Sequence, residues 1–142
     1  MKTLKSIMMG LSLLIICGIV NAAPKTTHDN IGKAEVVSAY LNAVVHGKLN
    51  GIENAIDDDA QFNIVRGNNV NSMNKDQLLA SLKSNENIEQ ECKCTDTAVQ
   101  EDDDTIVHKV EMKYSDFTRT DLITAQREGK SWKIIRVNTT YN

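Results

Sequence analysis

Residues 105–138 alternate between apolar and polar side chains, and this alternation constrains the fold more than any other feature of the chain. Apolar side chains at every second position are typical of a strand with one buried face. Polar interruptions at 115–116 and 128–131 divide the segment into three strands that we expect to pair antiparallel. The predicted facing pairs on the first two strands are Tyr114–Phe117, Met112–Arg119, Val110–Asp121, His108–Ile123 and Ile106–Ala125.

Several polar side chains fall on this predicted apolar face. The turn at 128–131 places Arg136 and Asn138 on the same face as Trp132 and Ile134, where they join His108, Arg119 and Asp121. Polar groups that are buried together need hydrogen-bond partners or a function. The apolar face of these three strands is therefore the predicted site.

The first 22 residues are typical of an export signal. Lys2 and Lys5 precede an apolar stretch at 7–20 that is too short to span a bilayer, and cleavage is predicted after Ala22. Of the 120 residues that follow, 23–32 are predicted to be a disordered lead-in and 33–142 a single domain. We therefore expect an exported protein, periplasmic or secreted.

The charge and the cysteines argue against several functions. The formal charge of −3 becomes −5 when the two signal lysines are removed, and the remaining lysines are scattered, so we expect no nucleic-acid partner and no membrane partner. Cys92 and Cys94 are expected to be small buried residues or to form a local or intermolecular disulfide. Their spacing lacks the second ligand pair of a zinc site, and no spacing in the chain indicates a metal or an organic cofactor.

The residues before position 105 predict mainly helices. Apolar spacing predicts a helix at 33–46 that ends at Gly47, and a second at 49–56 that ends at the acidic run 57–59. A strand is expected around Phe62 and Ile64, with a turn at 67–69. Asn74 with Gln77 is the capping pattern of a third helix, which ends near 84–85, and a long strand is expected at 88–99. Helices followed by strands indicate an α+β fold.

Five short motifs occur in order along the predicted domain: AYL at 39–41, HGKL at 46–49, DDA at 58–60, YSDF at 114–117 with Asp121, and GKSWKI at 129–134. Through them the chain resembles the nuclear transport factor 2-like superfamily, and within it the exported bacterial "putative lumazine-binding" or SnoaL-like proteins. The resemblance implies a cone-shaped fold in which three N-terminal helices pack on a bent, mostly antiparallel sheet. It also implies a homodimer formed through the sheet.

The ketosteroid isomerases, an enzyme branch of that superfamily, allow a comparison residue by residue. Their pocket tyrosine in the first helix matches Tyr40, and their protonated oxyanion-hole aspartate matches Asp121, which precedes Gly129 by eight residues. Their catalytic base is a carboxylate in the first strand, and this position falls on Ile64, which cannot accept a proton. The resemblance therefore implies the hydrogen-bonding end of an isomerase pocket without its base.

Three functions are compatible with these residues. The first is an exported protein that binds a small apolar or partly polar molecule between the first helix and the concave face of the sheet, with little or no catalysis. Its candidate ligand-binding residues are Tyr40, Phe62, Ile64, His108, Met112, Tyr114, Arg119, Asp121, Trp132 and Arg136. The second is an isomerase, cyclase or dehydratase with His108 as base and Tyr40 and Asp121 as oxyanion donors. The third is a dimeric interaction domain without catalysis.

The candidate residues also have a purely structural interpretation. Asp121 could form a buried pair with an arginine that fixes the register of the sheet. His108 and Tyr40 could be core residues whose polar atoms are satisfied, and Trp132 could belong to the core. The sequence alone leaves these interpretations open.

Overall fold

The computed structural model describes residues 30–142, so the predicted signal peptide and residues 23–29 lie outside the described residues. Within the described part, no helix is long and apolar enough to cross a membrane. Ile31, which we placed in the lead-in, is buried. Its N–H donates to Ser131 Oγ at 3.0 Å, and its carbonyl accepts from the N–H of Trp132 at 2.8 Å. The ordered domain therefore includes Ile31 and is not limited to residues from Lys33 onward.

Three helices and six strands make up the described chain: α1 (Lys33–His46), α2 (Ile52–Ala55), β1 (Ile56–Arg66), β2 (Asn69–Met73), α3 (Lys75–Ser84), β3 (Lys93–Glu101), β4 (Thr105–Lys113), β5 (Thr118–Glu128) and β6 (Ser131–Tyr141). The strands form one sheet in the order β2-β1-β6-β5-β4-β3, with only β1 and β6 parallel. The predicted α+β class is confirmed. The helices are not all N-terminal to the sheet, because α3 follows two strands.

The first helix forms as predicted because both of its ends are defined locally. The backbone N–H of Gly32 donates to the Glu35 carboxylate at 3.0 Å, which satisfies a donor at the helix start. Gly47 ends the helix in the left-handed conformation, with φ at +62°. The buried side of α1 includes Val36, Tyr40 and further apolar residues that pack into the core. This helix covers β5 and β6 and places Tyr40 against the sheet.

The register of the β4–β5 hairpin is the one predicted from the alternation. Met112 faces Arg119, Val110 faces Asp121, and the predicted pairs at His108 and Ile106 also form. The N–H of Tyr114 donates to the carbonyl of Phe117 at 2.9 Å across the turn. Alternation determines this register because a slip of one residue would turn every buried side chain of the strand toward solvent.

The second half of β6 differs from the prediction. A bulge at Ile135 shifts the register, since Ala125 faces Ile134 but Thr124 faces Arg136. One extra residue reverses the alternation beyond it, so Val137 and Thr139 are the buried residues there and Arg136 is exposed. The prediction that Arg136 and Asn138 share the face of Asp121 was therefore wrong.

The region between α1 and α3 also departs from the prediction. The second helix is a single turn, Ile52–Ala55, and the acidic run 57–59 that we expected to end it lies instead in the long strand β1. These carboxylates occupy the irregular part of the β1–β6 pairing between Ile56 and Gln61, where solvent reaches them. Strand β2 was not predicted, because four of its five residues are exposed and the strand shows no apolar alternation. β3 begins five residues later than expected, at Lys93.

Replacing Gly47 by alanine should destabilise the fold through a backbone clash. A Cβ atom at Gly47 would lie 2.7 Å from the backbone nitrogens of Asn87 and Ile88, whereas one at Gly129 would have no atom within 4 Å. The two glycines share nearly the same φ, +62° and +61°. We expect Gly129→Ala to cost about 1–2 kcal/mol for the left-handed backbone alone, and Gly47→Ala a further 1–3 kcal/mol or so from overpacking. Urea unfolding of both variants measures the difference, and equal losses would contradict this account.

Candidate functional site

A buried carboxylate joins α1 to two strands of the sheet. Asp121 is 0% exposed, and each of its carboxylate oxygens accepts two hydrogen bonds. Oδ1 accepts from Arg119 Nε at 2.9 Å and from Thr139 Oγ1 at 2.7 Å. Oδ2 accepts from the Tyr40 hydroxyl at 2.8 Å and from Arg119 Nη2 at 2.8 Å. We call Tyr40, Arg119, Asp121 and Thr139 the carboxylate cluster.

Burial and the neighbouring groups shift the pKa values of Tyr40 and Arg119. Burial raises the pKa of Tyr40 well above its ordinary value, and the charge of Asp121 raises this pKa further. Burial lowers the pKa of Arg119, but the Tyr40 and Asp121 groups raise it by more, so that it lies above its ordinary value. The arginine is thus a cation, the tyrosine is neutral, and Asp121 acts as a fourfold acceptor.

This arrangement does not provide the oxyanion donors that the sequence predicted. An oxyanion hole needs hydrogen-bond donors directed at the ligand. The hydroxyl hydrogen of Tyr40 is instead directed at Asp121, and the Asp121 carboxylate accepts hydrogen bonds and does not donate them. The geometry matches the structural interpretation of Asp121 as the partner of an arginine, Arg119, and the bond from Tyr40 adds a link to α1. Tyr40 is 1% exposed, so its side chain does not line an open cavity either.

A separate cavity of about 400 Å³ lies between α1 and the inner face of β3 and β4. The helix contributes Lys33, Val37 and Leu41 to its lining, and the strands contribute Asp96, Glu101 and His108. We call this cavity the helix–sheet cleft. Of the predicted ligand residues, only His108 lines it.

His108 is held in the cleft by a carboxylate on the neighbouring strand. Its Nδ1 lies 2.8 Å from Asp96 Oδ1, and its side chain is 16% exposed. The two residues are diagonal neighbours, since His108 faces Ala98 and Asp96 faces Val110 in the β3–β4 pairing. When Nδ1 carries the proton and donates to Asp96, Nε2 is left as an acceptor for another group.

The other predicted ligand residues lie apart from the cleft lining. Phe62, Met112 and Trp132 are buried members of the hydrophobic core. Ile64 lines a smaller depression beside Arg66. Tyr114 stacks on Phe117 with ring centroids 4.5 Å apart, and Arg136 lies on the opposite, exposed side of β6. The structure therefore divides the predicted site among the carboxylate cluster, the core, the cleft and the surface.

Three residues that were not predicted as site residues belong to the carboxylate cluster or to the cleft. Thr139 completes the carboxylate cluster, but the bulge in β6 removed the alternation that would have placed it there. Asp96 orients His108, and it could have been found from the expected strand at 88–99 as a neighbour of β4. Lys33, which approaches Glu101 to 3.8 Å at one end of the cleft, gave no signal beyond its place at the helix start. In residues 30–142, no three His, Cys, Asp or Glu side chains group closely enough to hold a metal ion.

The buried hydroxyl of Tyr40 should make stability depend on pH in the alkaline range. Above pH 10 the tyrosine of the unfolded chain loses its proton, whereas the folded chain retains it because its pKa is raised. Stability is therefore fully present below pH 10 and falls above it by up to about 1.4 kcal/mol per pH unit. We expect Tyr40→Phe to lack this part of the decline.

The measurement is the free energy of unfolding in urea between pH 8 and 11.5, for the chain and for Tyr40→Phe. Lysines titrate over the same range in both proteins, so the difference between the two curves isolates Tyr40. A difference that stays constant with pH would contradict the account of a buried neutral tyrosine.

Comparisons with known proteins agree with this architecture. A family model described as "Putative lumazine-binding" matches residues 29–142. Comparison with curated proteins gives no significant match. A solved structure of an NTF-2 like protein of unknown function from Silicibacter pomeroyi is similar, with a TM-score of 0.64 and 16% identity over 77% of this chain and 92% of that chain.

Two further solved structures are similar in the same way. An NTF2-like protein from Cytophaga hutchinsonii gives a TM-score of 0.60 and 19% identity, over 77% of this chain and 94% of that one. A protein described as a "putative ketosteroid isomerase" from Parabacteroides distasonis gives a TM-score of 0.54 and 13% identity, over 80% of this chain and 96% of that one. At these identities the likeness shows the fold alone. The chain has the nuclear transport factor 2-like fold and belongs to the family described as "Putative lumazine-binding".

Proposed function

We propose that this protein binds a small, partly apolar molecule in the helix–sheet cleft. The observation that carries the proposal is the cavity of about 400 Å³ with a hydrogen-bonded His108–Asp96 pair in its wall. This volume lies within the range of small-molecule sites, about 300–1,000 Å³. A concave site with an apolar wall and a few placed polar groups is the usual form of such sites.

The lining of the cleft indicates the chemistry of the ligand. Val37 and Leu41 lie one turn apart on α1 and offer an apolar wall. Nε2 of His108 is left to accept a hydrogen bond when Nδ1 donates to Asp96. At the start of α1, Lys33 and Glu101 form an exposed ion pair. A polar group of the ligand could replace one member of this pair as the partner of the other. We infer a molecule with an apolar body and a hydroxyl or amide donor near His108.

The carboxylate cluster supports this site indirectly. It ties α1 to β5 and β6 at Tyr40, three residues after Val37 and one before Leu41 on the same helix. The cleft wall on α1 is therefore fixed relative to the sheet before any ligand binds. A wall that is already in place loses less conformational freedom on binding.

The proposal is tested by measuring what the protein carries and what binds to it. Native mass spectrometry of the protein purified from its own periplasmic fraction, followed by mild denaturation, would release a bound molecule. We expect His108→Ala and Leu41→Asn to lose that molecule, because each removes a cleft contact. His46→Ala is the matched control, since His46 is also a histidine held by a carboxylate, Glu89, but does not line the cleft.

The same spectrum tests two further inferences. We propose that the chain is exported and cleaved after Ala22, which the intact mass would report. We also propose a homodimer through the outer face of the sheet, where Val99 and Leu122 are 60% and 37% exposed.

A protein that carries no molecule, and whose melting temperature is unchanged by a library of small metabolites, would contradict the binding proposal.

A second function, general base catalysis, is favoured by the same histidine. A carboxylate that holds one ring nitrogen of a histidine, with the other nitrogen left in a cavity, is the arrangement of a base in acid–base enzymes. Tyr40 and Asp121 give His108 no oxyanion partner, because the Tyr40 hydroxyl donates to Asp121, Asp121 accepts hydrogen bonds, and neither residue lines the cleft. The enzyme alternative therefore depends on His108 and Asp96.

If the protein is an isomerase, cyclase or dehydratase, His108→Ala should lower kcat by about 10²–10⁴-fold. Asp96→Asn should lower it less and shift the pH dependence of kcat, which a merely structural role would not do. Circular dichroism and thermal melting would show whether both variants remain folded. Unchanged turnover in folded His108→Ala would eliminate this alternative.

A further inference from the structure

Cys92 and Cys94 form a thiol pair at an edge of the sheet. Strand β3 is the last in the strand order, so within residues 30–142 its outer edge pairs with no strand. The two Sγ atoms lie 3.8 Å apart, close enough for a hydrogen bond between the thiols. Cys92 is half-buried against the core and Cys94 is exposed. The pair is thus accessible from solvent through Cys94.

The backbone places the pair near the geometric limit for a disulfide. Two residues along an extended strand separate their Cα atoms by about 6.6 Å, and disulfides span at most about 6.8 Å between Cα atoms. Cys92 lies just before β3, where its N–H donates to the carbonyl of Gln90 at 3.0 Å in a tight turn. Because Cys92 stands outside the ladder of β3, its backbone can adjust without breaking strand pairing.

We propose that Cys92 and Cys94 form a reversible thiol–disulfide exchange site whose substrate is an accessible external disulfide. In the first step a thiolate of the pair attacks one sulfur of the external disulfide, forms a mixed disulfide and releases one thiol. In the second step the other cysteine attacks its bonded neighbour, closes the Cys92–Cys94 bond and releases the second thiol. One external disulfide is reduced to two thiols, and the protein pair loses two hydrogen atoms.

The same geometry argues for a reversible bond over a permanent one. A bridge between residues only two apart closes a small ring that the extended backbone strains. Strained or exposed disulfides have more oxidising potentials and are the labile ones. We therefore expect a bond that an excess of thiol opens again.

The environment of Cys94 sets how fast exchange proceeds. Partial burial of its thiol, together with the hydrogen bond to Cys92, raises the pKa of Cys94 to about 11. The thiolate is the attacking species, so exchange through Cys94 should be slow near neutral pH and accelerate about tenfold per pH unit toward this value. Burial and the nearby Cys92 raise the pKa of the neighbouring Tyr114 to about 12. Tyr114 therefore adds no negative charge beside the thiols at pH values below the pKa of Cys94.

The test uses oxidised glutathione as the external disulfide and intact mass as the readout. We expect the reduced chain to lose two hydrogen atoms in mass, to retain no glutathione and to protect both cysteines from iodoacetamide. Excess reduced glutathione should restore both thiols. Cys92→Ser leaves Cys94 without a resolving partner, so its glutathione adduct should persist at least about tenfold longer than in the unmodified chain.

Four outcomes would overturn the proposal. They are no reaction, two stable glutathione adducts on one chain, a disulfide-linked dimer on a non-reducing gel, and an internal bond that excess reduced glutathione does not open. Serine is close to cysteine in size, and circular dichroism of the Cys92→Ser and Cys94→Ser variants verifies that each chain is folded.

Discussion

The architecture depends on one buried carboxylate. An ionised aspartate without partners in a protein interior costs several kcal/mol in lost hydration, and Asp121 is fully buried. Four hydrogen bonds, two of them from one guanidinium, offset this cost. The donors come from α1, β5 and β6, so the carboxylate is satisfied only when the helix, the hairpin and the last strand are all in place. Packing of apolar residues alone would allow other orientations of α1, but the carboxylate does not.

The sequence predicted those parts of the fold that local patterns determine. The register of β4 and β5 follows from strict alternation and a short turn, and the bounds of α1 and α3 follow from Gly47 and from Asn74 with Gln77. Strand β2 has no apolar alternation to detect, and the bulge at Ile135 is one extra residue that no local pattern marks. These errors arise where tertiary pairing, and not local preference, selects the conformation.

The candidate site was predictable to a smaller extent. Alternation correctly placed His108, Arg119 and Asp121 on the inner side of the sheet, but it carries no information on which part of that side the helix covers. Where Tyr40 of α1 lies over β5, the polar groups form hydrogen bonds with each other. Between α1 and strands β3 and β4, His108 and Asp96 remain open to a cavity. The distinction between a closed cluster and an open cleft is a matter of helix position, which one sequence does not specify.

The parallel pairing of β1 with β6 has a consequence for how the chain folds. Ile56 faces Ile134, a partner 78 positions later, and the two strands occupy the second and third positions of the six-stranded sheet. Closing so long a loop costs chain entropy before any contact is gained, and such non-local pairing slows folding. As the chain emerges during synthesis, β1 has only the short strand β2 to pair with, and its central neighbour arrives last. Until the eleven residues of β6 are made, β1 therefore lacks its inner neighbour and the sheet cannot be completed.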